Sequence, residues 1–292
     1  MRVGFIGTGH MGNPMATHLI RAGHEVVVHD KRQEATANLI ELGATWADSP
    51  AEAAEGNQVV FTSLPGPPEV DEATLGAHGI LAGAKAGMVH VDLSSNLPGA
   101  AKRLAIIEGA CGLGFLDAPV SGMVAGATEG TLTVFVGGDE KTFESVKPLL
   151  ETFGKNIFHM GPVGSGAIAK LTNNLMVNAI PLIVDEALVL GAKAGIDPRR
   201  LFEVWNLSSS SRFVQAVPRL LERNFENPTF ALALSSKDLG LATEAGRELG
   251  VPLPVTAAAA QVLTRSVAAG LGDKSPAAVL ITIEEGAGIK VE

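Results

Sequence analysis

Apolar residues come in short bursts through the first half of the chain and in long stretches through the second. The runs RVGFI (2–6), EVVVHD (25–30), QVVFTSL (58–64), MVHVDLS (88–94) and GFLDAP (114–119) are too short for helices and rich in β-branched residues, as buried strands are. Between them MATHLIRAG, EATANLIELG and LPGAAKRLAIIEGA carry apolar residues at helical spacing. This alternation predicts a parallel sheet with both faces covered. TLTVFV (131–136) adds a strand, and a helix is expected to begin near Asp139. From Gly161 to Lys193 the pattern predicts one long helix, with Pro181 expected to kink or partly break it. Beyond it only helices are predicted: IDPRRLFEVWN with Asp197 as N-cap and Pro198 at N1, then FVQAVPRLLERN, SSKDLGLATEAGRELG and PVTAAAAQVLTRSVAAG. The last residues, IEEGAGIKVE, read as loosely held. Two domains follow, an α/β one over 1–162 and an all-α one over 163–292, joined by the long helix.

Composition narrows the partners. A length of 292 residues with 46% hydrophobic positions supplies core for two domains. Net charge is −9, no basic tract occurs and aromatics make up 4%, so the attraction and stacking that nucleic-acid binders use are both missing. The N-terminus enters a strand directly, without signal-peptide character, and the most apolar stretch, within 175–192, is interrupted by Asp185 and Glu186, unlike a membrane span. A cytoplasmic protein is expected. The single cysteine, Cys111, leaves no internal disulfide or multi-thiolate metal site and reads as a small buried residue of a reducing compartment. None of the seven histidines has metal-ligand spacing, so no metal is expected.

The first strand runs straight into Gly7-Thr8-Gly9-His10-Met11-Gly12 and then a helix, and the second strand ends at Asp30. Strand, glycine loop, helix and an acid about twenty residues on form the dinucleotide-binding pattern of a Rossmann-type domain. Glycines there allow a tight turn, close approach of backbone to pyrophosphate and close helix–strand packing, while the helix N-terminus faces the phosphates. Asp30 favours the free ribose hydroxyl of NAD, whereas Lys31 and Arg32 beside it would favour the 2′-phosphate of NADP. Position favours the acid, so NAD is the expected cofactor with NADP as second choice.

Loops after parallel strands gather at the carboxyl edge, where doubly wound sheets bind ligands, so Leu64-Pro65 and Ser94-Ser95 are candidate cofactor contacts, with ordinary turns a close alternative. Ser121 and Gly122 follow a strand end, and a hydroxyl and backbone amides there could hold a carboxylate; a plain glycine turn is the alternative. On the long helix Lys170, Asn173 and Asn174 stand at i, i+3 and i+4, one polar face on an otherwise apolar element.

Taken together, GFIGTGHMGNPMATHL, DAPVSG (117), GTLTVFVGG (130), GSGAIAKLTNN (164) and SSKDLGLA (235) resemble the β-hydroxyacid dehydrogenase family, to which 3-hydroxyisobutyrate dehydrogenase and tartronate semialdehyde reductase belong. The resemblance covers nearly the whole chain. It implies Lys170 as catalytic acid/base, Asn174 as a substrate contact, the Ser121-Gly122 segment as the binder of a substrate carboxylate, and Lys237 and Ser95 beside the nicotinamide end of the cofactor. It also implies a homo-oligomer, dimer or tetramer. Met123 departs from the pattern, since the family commonly has a second glycine after Ser-Gly, and this puts the substrate in question more than the reaction.

The chemistry fits the residues. Hydride exchange at a carbinol carbon needs a group that takes or supplies the hydroxyl proton. A free lysine titrates at about 10.4, so a lysine in this role needs a desolvated site. A small 3-hydroxyacid or its semialdehyde is the expected substrate. An imine or other unusual reductase on the same fold would generally replace the lysine, and a non-enzymatic nucleotide-binding protein would have lost Lys170 or Asn174; both residues are present.

Overall fold

Short apolar runs separated by helices leave the chain one economical way to bury both faces of its strands, and the computed structural model, which describes residues 1–291, adopts it. Its sheet contains β1 (Arg2–Ile6), β2 (Glu25–His29), β3 (Thr45–Trp46), β4 (Val59–Thr62), β5 (Val89–Asp92), β6 (Gly114–Asp117), β7 (Val120–Ser121), β8 (Leu132–Gly138) and β9 (Gly154–Gly161). The first six lie parallel in the order β3-β2-β1-β4-β5-β6. The chain winds outward from β1 in one direction through β2 and β3, then returns to begin again at β4 on the other side. The switch point therefore lies between β1 and β4, with the glycine loop at one strand end and Ser63–Gly66 at the other.

Beyond β6 the sheet changes character. β8 runs antiparallel to β6 and β7, which share one side of it, and parallel to β9 on the other. Val3 and Phe5 enter one apolar cluster with Val26, Val28, Phe61 and Leu116, while Ile6, Val27 and Val60 enter another with Ala53 and Ile80. The two-residue period of the strands thus serves both faces.

Packing divides the chain into Met1–Lys170 and a second unit from Leu171 onward, so the division falls inside the long helix Ser165–Lys193, past the boundary expected at residue 162. Among the described residues the second unit is entirely helical. Asp197 caps the helix Pro198–Asn206 by accepting from the Arg199 amide, with Pro198 in its first turn, as expected. Two clusters fill this unit, one around Leu188, Val217 and Leu280, the other around Leu182, Leu239 and Leu263.

Three local expectations are corrected. The long helix starts at Ser165, because β9 claims the chain up to Gly161; Pro181 lies inside it. Cys111 is exposed, since it lies just past the end of the helix Pro98–Ala110. The C-terminal residues are held as far as Val291, Glu292 lying outside the described residues: the helix Val279–Ala287 contains Glu284, which pairs with Arg223 at 2.7 and 3.0 Å and accepts the Val291 amide at 2.7 Å. The Val291 side chain is buried.

Candidate active site

The three glycines of the first loop obey different constraints. Gly7 has a φ of +90°, and its amide donates to the His29 carbonyl at 2.9 Å. A Cβ on Gly12 would lie 1.9 Å from the Gly7 carbonyl oxygen and 3.0 Å from Phe5, so the helix Gly12–Arg21 sits directly on β1. A Cβ on Gly9 would meet nothing within 4 Å, and its φ lies outside the left-handed range. Nothing in the chain itself asks for glycine at position 9. The helix after the loop has no side-chain cap on Met11 and no acidic residue in its first turn. An uncapped helix start opposite a bare glycine, at the switch point of a parallel sheet, fits a pyrophosphate. A cavity of about 580 Å³ opens on Thr8, Gly9 and His10 and extends past Asn13 and Arg32.

Asp30 is tied into this loop. Its Oδ2 accepts the Thr8 amide at 2.7 Å, and its Oδ1 accepts the Arg32 amide at 2.9 Å. The second strand end is thereby fixed against the glycine loop; Oδ2 also accepts the Thr8 hydroxyl at 3.3 Å, and Oδ1 keeps lone-pair capacity for a ribose hydroxyl. The Lys31 and Arg32 side chains are exposed, and Arg32 lines the cavity.

The carboxyl ends of β4 and β5 are joined by a polar network around Asp92. Its Oδ1 accepts from the Thr62 hydroxyl at 2.9 Å and from the Ser94 amide at 3.0 Å, and its Oδ2 accepts from Asn96 at 3.1 Å. Ser94 accepts the Leu64 amide at 2.9 Å. The structure thus separates the serine pair: Ser94 is buried and holds the Leu64-Pro65 loop, while Ser95 is half-buried beside it. Thr62 also meets His90 Nε2 at 3.0 Å, and His90 Nδ1 meets Glu108 at 2.9 Å, all three buried. The one hydroxyl proton of Thr62 goes to Asp92, so Nε2 must carry its own proton. Burial pulls the His90 pKa down, but the Glu108 carboxylate more than offsets it and the net direction is upward.

Ser121 ends β7 and is half-buried. Gly122 follows with a φ of +138°, and Met123, at +57°, opens the helix Met123–Glu129 with its side chain 62% exposed. A left-handed methionine costs about 1–2 kcal/mol, and at that exposure little packing offsets it. Asp117, four residues before Ser121, is 1% exposed. Its Oδ1 accepts the Gly164 amide at 2.8 Å and its Oδ2 the Ala167 amide at 2.7 Å, at the start of the long helix. Burial pushes its pKa up to about 6, against the pull of those two amides.

In the second unit Asn174 is buried and donates to Asp238 Oδ2 at 2.7 Å, while Asn173 donates to Asn174 at 3.2 Å. Lys237 Nζ lies 3.1 Å from Asp238 Oδ1. Asp238 therefore holds both Asn174 and Lys237, two residues far apart in sequence. Among the described residues no group of three or more His, Cys, Asp or Glu side chains is placed to hold a metal ion.

The likeness to known proteins extends over the whole chain. Residues 2–161 match the model of the NAD-binding domain of 6-phosphogluconate dehydrogenase, and residues 164–283 match that of the NAD-binding region of NADP-dependent 3-hydroxyisobutyrate dehydrogenase. The 2-(hydroxymethyl)glutarate dehydrogenase of Eubacterium barkeri is 38% identical over 294 aligned positions, covering 100% of this chain and 97% of the relative. The chain belongs to the β-hydroxyacid dehydrogenase family. Another member, the 2-hydroxy-3-oxopropionate reductase of Escherichia coli, is 38% identical over 286 positions, covering 97% of each chain. The solved 3-hydroxyisobutyrate dehydrogenase of Mycobacterium tuberculosis superposes with a TM-score of 0.86 at 31% identity, covering 97% of this chain and 98% of that one.

Asp92, Asp117 and Asp238 are absent from the site candidates that the sequence offers, although Asp117 and Asp238 lie inside the motifs DAPVSG and SSKDLGLA and Asp92 inside the run MVHVDLS. Asp92 and Asp238 stand next to residues whose chemistry is more conspicuous, Ser94-Ser95 and Lys237. The available signal was a carboxylate at a predicted strand end or in an apolar helix, where an acid must find partners. Met123, at a φ of +57°, occupies a left-handed position that glycine adopts without strain.

Proposed function

We propose that this protein interconverts a small 3-hydroxyacid and its semialdehyde with NAD(H), with Lys170 moving the hydroxyl proton. The observation that carries this is Lys170 one turn past the Asp117-anchored helix start, with Asn174 at i+4, in a chain 38% identical along its whole length to a hydroxyacid dehydrogenase. The nicotinamide cofactor supplies and accepts the hydride. Gly9 and the uncapped helix start hold its pyrophosphate, Asp30 its adenosine ribose, and Leu64, Pro65, Ser95 and Lys237 contact it further along. Ser121, Gly122 and Met123 receive the substrate carboxylate, supported by an uncapped helix start after Gly122. Asn174, oriented by Asp238, directs the substrate hydroxyl toward Lys170. Asp30 favours NAD over NADP, and comparing kcat/KM for the two cofactors tests that choice; a clear NADP preference would mean that Lys31 and Arg32 win.

A panel of small hydroxyacids and semialdehydes, read by absorbance of the reduced nicotinamide, tests the reaction. Lys170→Ala is expected to lower kcat by about 10² to 10⁴ while NAD binding persists, and Lys170→Arg is not expected to restore it, because guanidinium keeps its proton. Near-normal turnover by Lys170→Ala would remove lysine from the mechanism.

We also propose a homodimer. Met176, Ile180, Ile183 and Leu190 are exposed on the long helix, and with half-buried Ala187 they recur in alternating steps of four and three. That is the spacing of a helix seam packed against another helix. By length and apolarity the same helix could span a bilayer, but Lys170, Asp185 and Glu186 interrupt it, which favours the seam.

A further inference from the structure

Building on the role proposed for Lys170, we propose that Asp117 is a positioning residue, whose single carboxylate sets the helix turn bearing Lys170 against the strand that leads to Ser121. Its two oxygens take the amides of Gly164 and Ala167 at 2.8 and 2.7 Å, so they cap the N-terminal end of the helix Ser165–Lys193. Lys170 follows Ala167 by three residues, about 4.5 Å along the helix. Ser121 follows Asp117 by four residues along the other arm. The carboxylate is the hinge point from which both proposed substrate-handling groups are measured.

The backbone contacts around it leave no room for adjustment. A Cβ on Gly166 would lie 2.3 Å from the Phe135 carbonyl oxygen and 2.4 Å from that of Asp117. A Cβ on Gly137 would lie 2.5 Å from Asp117 Oδ1 and 2.8 Å from the Gly166 amide nitrogen. Two glycines thus let the helix turn rest on the ends of β6 and β8 with bare backbone, and the Asp117 carboxylate fills the space between them. A helix N-terminus favours an anion at this place, and both acceptor oxygens are used. Asparagine has the same shape but can accept only one of the two amides, so Asp117→Asn should loosen the turn without emptying the site.

The test is a double-mutant cycle on turnover. Each variant is first shown to unfold cooperatively and to bind NADH. Asp117→Asn is expected to lower kcat by about 10- to 100-fold with the KM for NAD within about twofold, because misplacing the proton-transferring group by a fraction of an ångström acts on chemistry and not on nucleotide binding. In a Lys170→Ala background the same substitution is expected to have almost no further effect, since there is then no ammonium to position. Asp117→Ser, which keeps one shorter acceptor, goes through the same cycle should the asparagine variant fail to fold. Effects that multiply, an Asp117→Asn enzyme with unaltered kcat, or loss of folding in both variants would each overturn the proposal. Unchanged turnover of Lys170→Ala alone would take down the proton-transfer role and this proposal together, whereas a multiplicative cycle would remove only Asp117.

Discussion

At the scale of single residues, Gly9 and Gly12 look alike in the sequence and differ in what constrains them. The Cβ of an alanine at position 12 would collide with the Gly7 carbonyl oxygen at 1.9 Å, whereas at position 9 it would enter open space. Gly12→Ala is therefore expected to lower the melting temperature by about 5 °C or more, the result of overpacking between backbone segments. Gly9→Ala should melt like the parent and lose about tenfold or more in NADH affinity, because only the approach of pyrophosphate is obstructed. A thermal melt and a fluorescence titration separate the two outcomes; equal NADH affinity in the parent and Gly9→Ala would move the nucleotide elsewhere. The same contrast shows how far the sequence could be read at this scale. The glycine spacing announced the loop, but which glycine serves packing and which serves ligand depends on Phe5 and Gly7 being nearby in space. Likewise the strand-end pattern offers Ser94 and Ser95 alike, and only the fold shows that Ser94 takes the Leu64 amide, thirty residues away.

Among elements, legibility followed burial. β1, β2, β4, β5, β6 and β8 were expected from their apolar runs, and each is flanked by strands on both sides. β3 and β7 have two residues each, too few to show any period, and β9, with Lys155, Asn156 and His159 exposed, lies outermost on the far side of β8 and alternates nothing. The long helix was legible for the opposite reason, an apolar length with few interruptions, yet one of those interruptions has an unexpected consequence. Asp185 is 2% exposed, and burial first and the Glu186 charge second push its pKa up to about 7. Its folded value lies above the unfolded value of 3.8, so the folded state binds more protons between them and stability falls as pH rises from about 4 to about 7. Asp185→Asn removes that loss. The melting temperature of the variant relative to the parent is expected to rise by about 5 °C between pH 5 and pH 8, and a difference independent of pH would mean that Asp185 is ionised in the fold throughout.

For the whole molecule, the decisive quantity is how many copies act together. If the seam of Met176, Ile180, Ile183 and Leu190 is covered by a second copy, Ile183→Glu should place a charge in that interface and shift the mass measured by light scattering from dimer to monomer at micromolar concentration. A variant that kept the parent's mass would show the seam to be solvent-facing or covered otherwise. Fold class and domain order are readable at this scale because the alternation of strands and helices gives way to helices alone once along the chain. The seam escaped the sequence because Met176 and Ile183 look no different from their buried neighbours Leu182 and Leu188 until exposure is known. The exposed Cys111 then becomes useful in its own right. It is the only thiol in the chain and is accessible just past the end of the helix Pro98–Ala110, so a nitroxide can be attached to the unmutated protein at one defined place. A monomer so labelled carries one spin and gives no dipolar modulation in a pulsed electron resonance experiment. A symmetric dimer carries two and reports a single distance, which turns an unpaired sulfur into a ruler between copies.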